Sequence, residues 1–230
     1  IYCSFPPIAS LELGYQLSKK YNVPLITEFR DGLAYEPLLP CNDAQYELFK
    51  ILENKYCNHS SLIIPVSDSH QRQLKNSYPS KRCHTVFNGY DPEYFSNIKR
   101  KNKVNHISFA TFGKFSMSRK SIDIKPMIDA INFICQKYGN KLSFYFIGSI
   151  SDHEVSLINT LKSETNATIV IRPHVDKKEG LHFLAENIDY LLFFGVNNGT
   201  ITISAKLYDY INLDTPIIGI CKGNESELII

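Results

Sequence analysis

Short apolar runs alternate with longer amphipathic stretches along the whole chain. The runs Ile1–Ser4, Pro24–Glu28, Leu62–Val66, His84–Phe87, Ile107–Phe112, Leu142–Ile147, Thr168–Arg172, Tyr190–Gly195 and Pro216–Ile220 predict strands. Between them, apolar residues at helical spacing predict helices near Ala9–Tyr21, Asp43–Cys57, Ser67–Ser77, Ile122–Tyr138, Asp152–Glu164, Lys177–Glu186 and Ser204–Ile211. The strand runs are continuously apolar rather than alternating, the pattern of strands covered on both faces. Strand and helix in regular succession therefore predict an α/β fold of doubly wound parallel sheets.

One segment breaks this rhythm. "SNIKRKNKVNH" (Ser96–His106) is polar and basic, has no periodic apolar face, and follows the turn formers of "NGYDPEYF". It predicts a linker at residues 98–106 between a first domain, 1–97, and a second, 107–230; a long surface loop inside one domain is the alternative. The 230 residues suit two domains better than one, and the second part alone carries five strands in series. The chain opens inside an apparent strand with Ile1 and stops within the apolar pattern "ESELII", so a piece of a longer protein is expected. None of the apolar runs is long enough to span a bilayer.

A net charge of +2 signals neither a nucleic-acid coat nor an acidic tail, and no basic stripe or nucleic-acid module is present. The cysteines (3, 41, 57, 83, 135 and 221) form no C-x-x-C pair and read as reduced, mostly buried thiols in a reducing compartment. The histidines show no H-x-x-x-H spacing, so no metal site is expected. There is no G-x-S-x-G nucleophile turn.

In open parallel sheets ligands gather where strands end, so the residues just past each strand carry the candidate chemistry. After the second strand, "FRDG" presents Arg30 and Asp31, either a cleft pair or a surface ion pair of little energetic weight. After Phe112, "GKFSMSRKS" sets Gly113, Lys114, Arg119 and Lys120 ahead of a predicted helix, where free N–H groups and the helix dipole suit a phosphate. The spacing is not that of a Walker A loop, and no G-x-G-x-x-G occurs. The third exit, "VNNGTITISAK", leads into the helix carrying Lys206 and Asp209. A cation in a first helical turn opposes the dipole, so Lys206 makes most sense with an anion beside it. Asp209 shares its face and suits a vicinal diol such as a ribose. The competing reading is a surface pair on a helix packed by Leu207, Tyr210 and Ile211.

Four segments in order resemble the retaining nucleotide-sugar glycosyltransferases of the family-4 type (glycosyl transferases group 1). These are "PLITEFRDG", "IPVSDSHQRQLKNSYPSKRCHTVFNGYDPEYF", "FATFGKFSMSRKSIDIKPMIDAI" and "AKLYDYINLDTPIIGI". The first is similar to a strand with a D-F-R-D loop, and the second to a strand ending in V-S, a helix and N-G-x-D-x-x-x-F. The third is similar to a G-K-x turn with a second basic residue before a helix, and the last to K-L-F-E-Y-L-x-x-G-K-P-I. The resemblance implies the GT-B fold, two Rossmann-like domains facing a cleft, with the N-terminal domain incomplete and the last helix of the donor domain missing.

It also implies roles. Lys114 and Arg119 contact the donor pyrophosphate, with Lys120 a substitute for Arg119, and Ser204, Ala205 and Lys206 cradle the phosphates beside Gly113. Arg119 and Lys206 stabilise the leaving group and so count as catalytic. Asp209 takes the second place of E-x7-E, on the ribose hydroxyls. His174 lies in "RPHV", where the base packs on backbone, and Arg30 and Asp31 face the acceptor. The sequence departs from the family at Ile201, where the first glutamate would fall, at Asp209 in place of glutamate, and at Asn212-Leu213-Asp214 before the proline. The implied reaction moves a sugar from a UDP- or GDP-sugar to a hydroxyl of a glycan or lipid-linked acceptor with retention, in surface-polysaccharide or glycoconjugate assembly, without metal or cofactor. The implied place is the cytoplasm, with the inner membrane face as an option. Lys19, Lys20, Arg72 and Lys75 read first as solvated surface and alternatively as a membrane contact. An epimerase of the same architecture and a non-catalytic nucleotide- or partner-binding relative stay open.

Overall fold

The structure, a computed structural model, describes residues 1–34, 42–98, 106–114, 124–194, 203–221 and 225–229. The described chain divides into two compact units, one holding residues 1–88 with 203–204 and 225–229, the other holding 89–194 and 205–221. The division falls between Asn88 and Gly89, ahead of the basic stretch that the sequence marks as a linker.

In the first unit β1 (Tyr2–Phe5), β2 (Ile26–Phe29) and β3 (Leu62–Pro65) form a parallel sheet in that order. Tyr2 lies opposite Ile26, and Ile26 opposite Leu62. The crossovers are α1 (Ile8–Tyr21) and α2 (Asp43–His59), and α3 (Asp68–Ser77) follows β3. Local chemistry sets the starts of two of these helices. Asn42 and Gln45 form a reciprocal capping box for α2, and the Ser67 side chain accepts from the His70 amide at the head of α3. Phe5, Leu11, Leu25, Phe29, Ile63 and Leu74 fill the core.

The predicted strand at His84–Phe87 does not form. Residues 82–86 run beside β3 through Ile63 N–H to Arg82 O (2.9 Å), His84 N–H to Ile63 O (3.0 Å) and Val86 N–H to Pro65 O (3.0 Å), yet make only the bridge Ile63↔Cys83. Val86 and Phe87 are exposed, so their apolar side chains contribute no burial that would hold a longer ladder.

In the second unit β4 (Ile107–Phe112), β5 (Leu142–Ile147), β6 (Thr168–Arg172), β7 (Tyr190–Phe194) and β8 (Ile217–Ile220) are all parallel, in the order β6-β5-β4-β7-β8. The helices are α4 (Lys125–Tyr138), α5 (Asp152–Glu164), α6 (Lys177–Asn187) and α7 (Ala205–Tyr210). Phe144 and Phe146 of β5 pack in one cluster with Ile128 and Ile131 of α4 and Ile158 and Leu161 of α5. The intervening Tyr145 meets Phe183 of α6 edge-on at 5.4 Å. Successive residues of one strand therefore bury on opposite faces, which is why the run reads as continuously apolar.

Candidate functional site

The strand order of the second unit reverses between β4 and β7. At such a reversal the loops leaving the two strands diverge to opposite faces and open a crevice at the carboxyl ends. On one side of it, two glycines bring the ends of β4, β5 and β6 close together. Gly113 (φ +96°) donates its N–H to Ile147 O at 2.9 Å, and Gly148 (φ +133°) donates to Arg172 O at 3.1 Å. A Cβ on Gly148 would stand 2.2 Å from the Gly113 carbonyl oxygen, so no other residue fits without moving the backbone.

Lys206 reaches this place from α7. Its Nζ donates to the Lys114 carbonyl at 3.1 Å, so the ammonium lies against the backbone that leaves β4. The Lys114 side chain itself is exposed. Two features fix α7. Leu207 is wholly buried, and the wholly buried Tyr210 hydroxyl accepts the Phe112 N–H at 2.8 Å. Burial holds that phenol well above its ordinary pKa, so it stays protonated. Ile211, expected to pack the same helix, lies past its end and is exposed. Ser204 immediately precedes α7 and Ala205 begins it. With six residues the helix has a weak macrodipole, and positive charge at this site comes chiefly from side chains.

Asp209 is buried at 7% exposure. Its Oδ1 lies 2.9 Å from Nζ of Lys177, the first residue of α6. Burial raises the pKa of this carboxyl, partly offset by the hydrogen bond and charge of Lys177. Lys177 in turn stands over the Tyr94 ring at 5.1 Å. The sequence reading missed Lys177 and Tyr94; the only available signal was that "DKK" heads a helix after a strand exit.

His174 is exposed on the segment leaving β6. Beside it opens a cavity of about 460 Å³ lined by Ile147, Arg172, Val175, His182 and Phe183, among others. The Arg172 guanidinium lies 4.3 Å from the Phe183 ring centre, and the two side chains together line one wall.

Arg30 and Asp31 belong to the first unit and stand exposed at the carboxyl end of β2. Arg119, Lys120 and Ile201 lie outside the described residues. Within the second unit the structure thus places Gly113, Lys114 and Lys206 together, Asp209 with Lys177, and His174 beside the cavity. Among the described residues no three His, Cys, Asp or Glu side chains converge as metal ligands would, and no helix is long and apolar enough to cross a membrane.

No protein-family model matches the chain, and no curated protein sequence does. Solved structures match at identities that show the fold alone. The chain is similar to the E. coli trehalose-6-phosphate structure bound with UDP-2-fluoro glucose, with a TM-score of 0.68 at 10% identity over 95% of this chain and 57% of that one. It is similar to the lipopolysaccharide outer core galactosyltransferase WaaB, with 0.58 at 12% over 98% and 58%. A putative UDP-N-acetylglucosamine 2-epimerase from Listeria monocytogenes gives 0.58 at 8% over 99% and 58%. The fold is that of GT-B glycosyltransferases, and the chain spans a little over half the length of these structures.

Proposed function

We propose that the chain is the greater part of a glycosyltransferase that moves a sugar from a nucleoside-diphosphate sugar to an acceptor hydroxyl with retention. The observation that carries this reading is the Lys206 ammonium held on the Lys114 carbonyl beside Gly113, at the strand reversal. Breaking the sugar–phosphate bond loads negative charge on the leaving pyrophosphate. Lys206 and Lys114 stabilise that charge, joined by Arg119 with Lys120 as its substitute, while Ser204 and Ala205 offer backbone N–H groups. Of these, Lys206 already rests on backbone and so answers the developing charge with little reorganisation. The cavity beside Val175 and His174, with its Arg172–Phe183 wall, takes the base. Asp209 accepts from the ribose hydroxyls while still paired with Lys177. Arg30 and Asp31 serve the acceptor, a glycan or lipid-linked hydroxyl compound of surface-polysaccharide or glycoconjugate assembly, and catalysis uses neither metal nor cofactor.

Titration of the full-length protein with UDP and GDP is the first test, followed by product analysis with UDP- and GDP-sugars. Lys206→Ala is expected to lower nucleotide affinity and to cut transfer on the order of 100-fold. Transfer that survives Lys206→Ala and Arg119→Ala undiminished would sink the mechanism. A second reading, a nucleotide-binding relative without transfer, is favoured by Ile201, which stands where the first glutamate of E-x7-E would fall. Tight UDP binding with no sugar transferred selects it, and conversion of a free UDP-sugar to its epimer selects an epimerase.

A further inference from the structure

One carboxylate of the first unit has no part in the proposed reaction yet controls a segment that does. Glu53 of α2 is 1% exposed. Its Oε2 accepts the Ala34 N–H at 3.0 Å and its Oε1 accepts the Tyr78 hydroxyl at 3.3 Å. Both partners are neutral, and among the described residues these two hydrogen bonds satisfy the carboxylate. Burying such a group without them is costly.

The geometry of the β2 exit explains what those bonds accomplish. At its start, Arg30 N–H donates to Phe5 O at 2.9 Å. At its far end, Ala34 N–H is taken by Glu53. Gly32, Leu33 and Ala34 are buried, while Arg30 and Asp31 stand exposed between the two anchors. The first anchor is supplied by the adjacent strand and needs no particular side chain. The second exists only because α2 carries an acceptor at residue 53. Tyr78 caps the end of α3, with its N–H on Leu74 O at 2.7 Å. Glu53 therefore ties the β2 exit, α2 and the end of α3 at one point.

We propose that Glu53 is a positioning residue, fixing the β2 exit so that Arg30 and Asp31 are presented together to the acceptor; this rests on the acceptor-side reading of that pair given above. Glutamine can replace glutamate here, with its carbonyl on the Ala34 N–H and its amide donating to the Tyr78 oxygen. Alanine can do neither, and aspartate falls a methylene short.

The test uses the full-length protein with Glu53→Gln, Glu53→Ala and Glu53→Asp. Three measurements are made: hydrogen exchange of the Ala34 amide, UDP affinity, and acceptor KM against kcat. Loss of the anchor is expected to speed Ala34 exchange roughly fivefold or more. It is expected to raise acceptor KM on the order of tenfold, with UDP affinity unchanged and Gln close to wild type. If Ala does not fold, Asp carries the same expectation. Unaltered exchange at Ala34 in Ala or Asp overturns the proposal. So does a parallel loss of UDP affinity and kcat, which marks a general structural role. A wild-type protein that transfers no sugar refutes the glycosyltransferase reading itself, and exchange at Ala34 still decides whether Glu53 is the anchor.

Discussion

The two units bury different chemistry beneath sheets of the same kind. The second has an aromatic interior, with Phe109 stacked on Phe144 at 4.8 Å and on Tyr190 at 5.4 Å and with Phe146 and Phe193 fully buried. The first is threaded with hydrogen bonds. Thr27 meets Ser60 at 2.6 Å, Ser18 meets His59 at 2.9 Å, and His70 and Glu53 lie fully inside. Hydrocarbon packing is tolerant of pH and intolerant of volume and backbone change. Buried polar groups reverse that balance, because each must find its partner in the right protonation state. The strand exits differ in the same sense. In the second unit, two glycines let strand ends approach closely and the strand order reverses between β4 and β7. In the first, where β1-β2-β3 run in sequence, a buried side chain fixes the loop.

The largest expected effect tests the second unit. Gly148→Ala places a Cβ 2.2 Å from the Gly113 carbonyl oxygen at a φ of +133°. It is expected to destabilise that unit by at least about 3 kcal/mol. In urea unfolding followed by fluorescence and hydrogen exchange, only the amides of the second unit should weaken. An equal weakening in both units would contradict the separation.

Acid should act on the first unit instead. Burial lowers the His70 pKa from 6.5 to about 4, and its Nδ1 has no hydrogen-bond partner among the described residues. The folded state therefore holds the ring neutral while the unfolded chain takes a proton. Stability is fully present above pH 6.5 and is lost as pH falls from 6.5 towards 4. The integrated loss is roughly 3 kcal/mol. His70→Phe, which cannot titrate, should flatten urea midpoints of the first unit over that range. Glu53, whose carboxyl burial raises, contributes with the opposite sign, its stabilisation being lost as pH rises through its folded pKa.

The smallest effect concerns Glu12. Hydrogen bonds from Lys55 (2.6 Å), Gln16 (2.7 Å) and Tyr56 (2.8 Å) lower its pKa from 4.5 to about 2. A depressed carboxyl stabilises the fold above pH 4.5 and ceases to do so as pH falls through about 2. Its side chain is 38% exposed, so water screens the pair and Glu12→Gln should cost under about 1 kcal/mol at neutral pH. A larger loss, persisting in high salt, would show that this network is a core element after all.

Much of the architecture was legible because backbone periodicity is local. The limits of β4, β5, β6 and α5 coincide with the apolar runs and helical spacing that predict them. The failure at His84–Phe87 has a physical cause: apolar residues in an edge segment resemble a strand in sequence whether or not their side chains have anything to bury against. At the site, Gly113, Lys114 and Lys206 were legible because strand exits and helix starts are themselves sequence features. The partner of Asp209 was not, since no spacing rule links Lys177 to a residue on another helix.

The order of apolar runs, the glycines at strand ends and the cations after them thus belong to the sequence by itself, and they specify parallel α/β sheets with a charged exit. Tertiary structure alone decided which exits neighbour one another, that Lys206 rests on the Lys114 carbonyl, that Asp209 is spoken for by Lys177, and that Glu53 holds the loop of Arg30 and Asp31. Strand order and helix packing set these contacts, and both depend on burial summed over the whole unit rather than on any local pattern.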